Sequence, residues 1–130
     1  MPERPISSFR LPFADLIGVH LIEVTPERAV AELTVREDLC TRPDVLHGGV
    51  FMALADTLGA VATIAGLPEG AHTTTIESKT NFLGPAALGT KVIAECTPVH
   101  RGRRTHVWQT RITSEAGRLL ANVIQTQLIL

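Results

Sequence analysis

At 130 residues, with a formal net charge of −1, the chain has room for one core of ordinary size and lacks the basic balance of a general nucleic-acid binder. Tyrosine is absent and Trp108 stands alone, a poor stock of aromatics for stacking on bases. Two cysteines, Cys40 and Cys96, and five histidines without HExxH-type spacing offer neither a dense disulfide framework nor a metal-ligand set, and no apolar signal segment opens the chain, so a reduced cytoplasmic protein without a metal is expected.

Residues 1–11, with Pro2 and Pro5, are expected to form an irregular lead-in to a single domain. Pro12 to Ile17 reads as a short helix, with Pro12 near its first position and Gly18 at its end. Val19–Val24 and Arg28–Val35 are strand-like, and Thr25-Pro26-Glu27 joins them into an antiparallel hairpin. Arg36–Leu46, with its charges and Pro43, is expected to be a loop. The stretch from Val45 to Gly66, VLHGGVFMALADTLGAVATIAG, then runs apolar for more than four helical turns and is interrupted by one charge, Asp56. A helix apolar on every side belongs in the middle of a fold. It is short for a membrane span, which takes about 20 mostly apolar residues.

After the turn Leu67-Pro68-Glu69-Gly70, β-signals dominate. Strands are expected over Thr73–Leu83, Lys91–Val99, Thr105–Thr113 and Leu119–Leu130. The connections are Gly84-Pro85, then His100-Arg101-Gly102-Arg103, then Glu115-Ala116-Gly117. In the last strand Ala121, Val123, Gln125 and Gln127 alternate with Asn122, Ile124, Thr126 and Leu128. The class is α+β, and one long helix wrapped by a curved antiparallel sheet is a layer solution this order permits.

The run LHGGVFMALADTLGAVA resembles the signature of the PaaI-like (phenylacetate-degradation type) branch of hotdog-fold acyl-CoA thioesterases. The resemblance continues in TTTIESKTNFLGP, VIAECTPVHRGRRTHVWQTRI and EAGRLLANVIQTQ, over roughly residues 15 to 128. It implies a central helix in a curved sheet, a homodimer that commonly pairs into a homotetramer, and hydrolysis of an acyl-CoA thioester without a metal. CoA then enters only as part of the substrate.

Thioester hydrolysis needs a donor for the developing oxyanion and a base or nucleophile to deliver oxygen. Gly48 lies where the long helix begins, so its N–H lacks a helical partner and the dipole's positive end points the same way. Gly48 and Gly49 also let a substrate approach closely. His47 is read as positioning this loop or touching the thioester, and not as the general base. Asp56 is the candidate base or nucleophile, since a carboxylate in an apolar helix must be solvated, paired or used. Eight residues at 1.5 Å each separate it from Gly48 by roughly 12 Å along the axis. One carbonyl cannot touch both from the same helix, whereas two antiparallel copies bring Gly48 of one chain near Asp56 of another.

The resemblance adds further positions. Relatives carry Asn or Gln six residues before the His to hold the carbonyl, and Thr41 stands there in this chain. Thr74 falls where related enzymes often place a hydroxyl that orients the attacking water. Arg101, Arg103 and Arg104 around Gly102 match the edge that meets the CoA nucleotide, and arginine's planar fork suits phosphate. Phe82-Leu83-Gly84-Pro85 matches a substrate-binding segment that in relatives often has Arg before the Pro. The alternative to a thioesterase is a non-catalytic acyl-CoA-binding or regulatory hotdog protein, which Thr41 favours and the Gly48–Asp56 pair disfavours. A hotdog dehydratase or hydratase ranks below both, because those lineages place His and acidic residues differently.

Overall fold

A computed structural model describes residues 5–130. Its elements in chain order are α1 (Pro12–Ile17), β1 (His20–Thr25), β2 (Arg28–Thr34), β3 (Cys40–Thr41), β4 (Val45–Leu46), α2 (Gly48–Ala65), β5 (Thr73–Phe82), β6 (Lys91–Arg101), β7 (Thr105–Ser114) and β8 (Leu119–Ile129). Six strands form one sheet in the order β1-β2-β6-β7-β8-β5, every neighbouring pair antiparallel. The helix α2 touches all six of them. This is the wrapped helix that the order of elements permits, and it leaves β1 and β5 as the sheet's edges.

Residues 1–4 of the expected lead-in lie outside the described residues, and Ile6–Ser8 makes one 3-10 turn. The short helix ends at Gly18, whose φ of 86° is costly for any residue with a Cβ. Two expected connections differ. Val45 and Leu46 pair with Thr41 and Cys40 in a small hairpin, so α2 starts only at Gly48. Strand β6 runs past Val99 to Arg101, because a register shift between Pro98 and His100 absorbs the proline, which has no N–H for the ladder. The turn that remains is Gly102 to Arg104.

The inner face of α2 carries Phe51, Leu54, Ala55, Leu58, Val61 and Ala62, all buried against the sheet. Each of the larger ones contributes about 1.5–3 kcal/mol by leaving water. Although α2 is long and apolar enough to cross a membrane by composition, that apolar face is spent on the sheet. Trp108, fully buried, donates its indole N–H to Thr63 Oγ1 at 2.8 Å, which ties β7 to the end of the helix. The expectation that the apolar helix lies in the middle of the fold fails along one stripe of the single chain: Gly49, Met52 and Asp56 are exposed.

Two buried glutamines face the helix. Gln125 and Gln127 share the inward side of β8 with Ala121 and Val123, and all four are fully buried. A Cβ on Gly59 would land inside the Gln125 amide. Propensity alone makes Gly59→Ala stabilising by about 1 kcal/mol. Here overpacking at about 1–3 kcal/mol, and a displaced amide at a similar cost, outweigh that gain. Thermal unfolding at fixed protein concentration should therefore show a lower Tm for Gly59→Ala. An unchanged or raised Tm would mean the helix and sheet separate freely at this point.

Candidate active site

The helix start is built by His47. Its backbone is extended (φ −61°, ψ 136°), and its Nδ1 accepts the Gly49 N–H at 2.8 Å. This is the N-cap task usually given to Ser, Thr, Asp or Asn. The His47 carbonyl accepts the Val50 N–H at 2.9 Å, and its own N–H donates to the Leu39 carbonyl at 2.9 Å. Because Nδ1 is accepting, the ring proton sits on Nε2, so the exposed imidazole presents a donor. Among the described residues no acceptor meets the Gly48 N–H. That donor lies at the positive end of an 18-residue helix.

Gly48 is crowded on one side only. A Cβ there would come within 3.1 Å of the Phe82 ring, which also packs edge-on against Phe51 with centroids 6.3 Å apart. Phe82 and Leu83 are each about half exposed, at 53% and 52%. Phe82 forms an apolar rim beside the free N–H, and Leu83 follows it in the chain.

Asp56 stands on the open stripe of α2, two turns beyond Gly48. Its Oδ1 accepts the Thr75 hydroxyl at 2.6 Å. Thr74, the position the resemblance points to, is exposed, and strand alternation turns it to the side opposite Thr75. The structure thus brings Thr75, and not Thr74, to the carboxylate. Within one chain Gly48 and Asp56 remain apart, as the helix rise of about 1.5 Å per residue requires.

Thr41 lies exposed in the β3–β4 hairpin, opposite Val45. Leu83 and Gly84 both donate their N–H groups to the Leu120 carbonyl, at 2.8 and 3.1 Å. The Arg118 guanidinium lies over Gly84, 3.5 Å from where a Cβ would be. A cation therefore occupies this region even though residue 84 carries none, something no local spacing announces.

The arginines of the β6–β7 turn divide. Arg101 donates to the Pro26 carbonyl at 3.0 Å and sits 3.5 Å from Glu27. Arg103 and Arg104 are exposed, and among the described residues neither has an ion-pair partner. Gly102 is tight: a Cβ there would come within 2.6 Å of His100 Nε2. Burial, followed by the charge of Arg101, pushes the neighbouring His106 imidazole below its usual value. Burial also raises the Cys96 thiol to about 11, which removes it from nucleophilic chemistry at neutral pH. Among the described residues no group of three His, Cys, Asp or Glu side chains converges on one point.

Comparison with known proteins identifies the family. A family model described as the thioesterase superfamily matches residues 44–121. A Mycobacterium tuberculosis protein named as an esterase is 32% identical over 114 residues, 85% of this chain and 81% of its own. Its solved structure has a TM-score of 0.87 at 30% identity, over 92% of this chain and 97% of that one. An Arabidopsis thaliana 1,4-dihydroxy-2-naphthoyl-CoA thioesterase is 35% identical over 98 residues, 75% of this chain and 61% of its own. A variant of the phenylacetic acid degradation protein PaaI from Thermus thermophilus is 28% identical, with a TM-score of 0.85 over 92% of this chain and all of that one. With a family model covering more than half its length, around the free N–H and the exposed carboxylate, the chain belongs to the thioesterase superfamily and is a PaaI-like, hotdog-fold thioester hydrolase.

Proposed function

We propose that this protein hydrolyses a small aryl-CoA or a short- to medium-chain acyl-CoA to the free acid and CoA, at sites shared between two chains. The observation that carries the reading is the pairing of an unsatisfied Gly48 N–H with an exposed, hydroxyl-bonded Asp56 on one helix. The thioester carbonyl oxygen docks on the Gly48 N–H. Asp56 of the other chain delivers oxygen to the carbonyl carbon, by taking a proton from water or by attacking directly. The tetrahedral oxyanion gains from a donor already aimed at it. Its collapse breaks the C–S bond and releases the CoA thiolate, which takes up the proton held by Asp56 on the water route or one from solvent on the direct route. On the direct route a water then hydrolyses the mixed anhydride left on Asp56, which frees the acid and restores the carboxylate. His47 holds the donor loop through its cap, and Thr41 lines the approach with a hydroxyl.

An antiparallel homodimer is supported by the open stripe of Met52 and Asp56, by exposed Ile76 on β5, and by β5 itself, an edge strand with unpaired backbone groups. Pairing of such dimers into a tetramer is part of the same proposal. Phe82 and Leu83 supply an apolar wall for the acyl group, and the naphthoyl-CoA named for the Arabidopsis relative makes an aryl ester the first to try. Phe51, Leu54 and Leu58 are core residues and leave that wall to the rim.

Arg103 and Arg104 are the free cations for the CoA phosphates. Arg103→Ala should raise KM roughly two- to fivefold at low ionic strength and much less at high salt. An unchanged KM at both would return the turn to a solvated role.

The direct test is thiol release from a panel of aryl- and acyl-CoA esters, with binding followed in parallel. Turnover of at least one ester supports the hydrolase, and the best substrate names the acyl class. Tight binding without thiol release would favour the non-catalytic acyl-CoA binder, with the Thr41 hydroxyl as the first reason.

A further inference from the structure

The two fully buried glutamines of β8 have no part in the chemistry just described, yet they end on its carboxylate. Gln125 Nε2 donates to the Ala55 carbonyl at 2.6 Å, and Gln127 Nε2 donates to Gln125 Oε1 at 2.7 Å. Gln127 Nε2 also donates to Thr75 Oγ1 at 2.6 Å, and Thr75 donates to Asp56 Oδ1 at 2.6 Å. At the other end of the Gln127 amide, Oε1 lies 2.9 Å from the Thr73 hydroxyl.

The direction of this chain is forced. A main-chain carbonyl can only accept, so the Gln125 amide must turn its NH2 to Ala55 and its oxygen to Gln127. Gln127 must then present its NH2 to Gln125 and Thr75. Thr75 Oγ1 is already accepting, so its single proton is directed to Asp56. Gly59 makes the arrangement possible, because any Cβ there would displace the Gln125 amide.

We propose that Gln127, oriented by Gln125, is a positioning residue for hydrolysis: it fixes the Thr75 hydroxyl as a donor to Asp56 Oδ1. The proton-accepting work is thereby left to Oδ2. The inference rests on Asp56 being the base or nucleophile. A half-buried serine or threonine hydroxyl is otherwise free to rotate toward water or a main-chain carbonyl. Two rigid amides buried between helix and sheet remove that freedom at a distance from solvent.

The test is a double-mutant cycle of Gln127→Met and Thr75→Val, read by kcat and KM separately. Each single variant should lower kcat about tenfold with KM unchanged, and the double variant should be no slower than Thr75→Val alone. Thr75→Ser should recover most of what Thr75→Val loses. A wild-type kcat for Gln127→Met, or losses that multiply in the double variant, would overturn the proposal. If Gln127→Met does not fold, the Val and Ser variants of Thr75 decide it, since equal kcat in both removes the hydroxyl that Gln127 serves. Asp56→Asn in the same assay separates the two ideas. An active Asp56→Asn overturns both, whereas an inactive one beside a fully active Gln127→Met overturns the relay alone.

Discussion

Asp56→Asn is expected to lower kcat by about 10²–10⁴-fold, the usual range for a lost base or nucleophile, while leaving KM and Tm close to wild type. Asparagine keeps the shape of the side chain and an oxygen that accepts the Thr75 hydroxyl, so the 2.6 Å contact that ties α2 to β5 survives. Asp56 is exposed in the single chain and carries no core packing. What asparagine lacks is the ability to take water's proton or to attack a carbonyl. A large drop in kcat at constant KM is the signature of an interaction needed in the transition state only. Retained activity would remove Asp56 from the mechanism, and a matching loss of Tm would make the residue structural.

Gly48→Pro isolates the other half of the site. Proline is tolerated at the first helical position, where the missing N–H has no helical partner. His47 already has the extended backbone that a following proline demands (φ −61°, ψ 136°). The substitution thus deletes the free donor with little cost to the helix, and kcat should fall by about 10²–10³-fold. Gly48→Ala is the control, because it keeps the N–H and shares the crowding against the Phe82 ring at 3.1 Å. If alanine costs as much as proline, the ring contact and not the donor is responsible.

The strand and helix order was legible because patterning is local: period-two stretches became β1, β2 and β5–β8, and the apolar run became α2. Asp56 and Gly48 could be singled out as candidates because an acid in an apolar helix and a bare helix start are each conspicuous without coordinates. What escaped depends on direction and on pairing. Thr74 and Thr75 are adjacent letters, and only the pairing of β5 with β8 decides which hydroxyl turns inward to Gln127 and Asp56. Gln125 and Gln127 appear in the sequence only as members of an alternating strand, and their partners lie far off in the chain: Ala55 on α2 for Gln125, and Thr73 and Thr75 on β5 for Gln127. His47 was readable as a positioning residue, whereas its cap on Gly49 required the ring to fold back. The exposed stripe of α2 was not legible at all, because an apolar run does not say which of its faces the sheet covers.

Mixing the two inactive variants tests the shared site most directly. Asp56→Asn and Gly48→Pro proteins would be dissociated, combined in equal amounts and reassembled, with thiol release measured against each alone. In a mixed two-fold dimer, Gly48 of the first variant faces Asp56 of the second, and that site is intact. With random assembly half the dimers are mixed and each holds one good site, so activity should return to about a quarter of wild type. Activity that stays at the level of the separate variants would contradict the account, since it would place both halves of every site within a single chain.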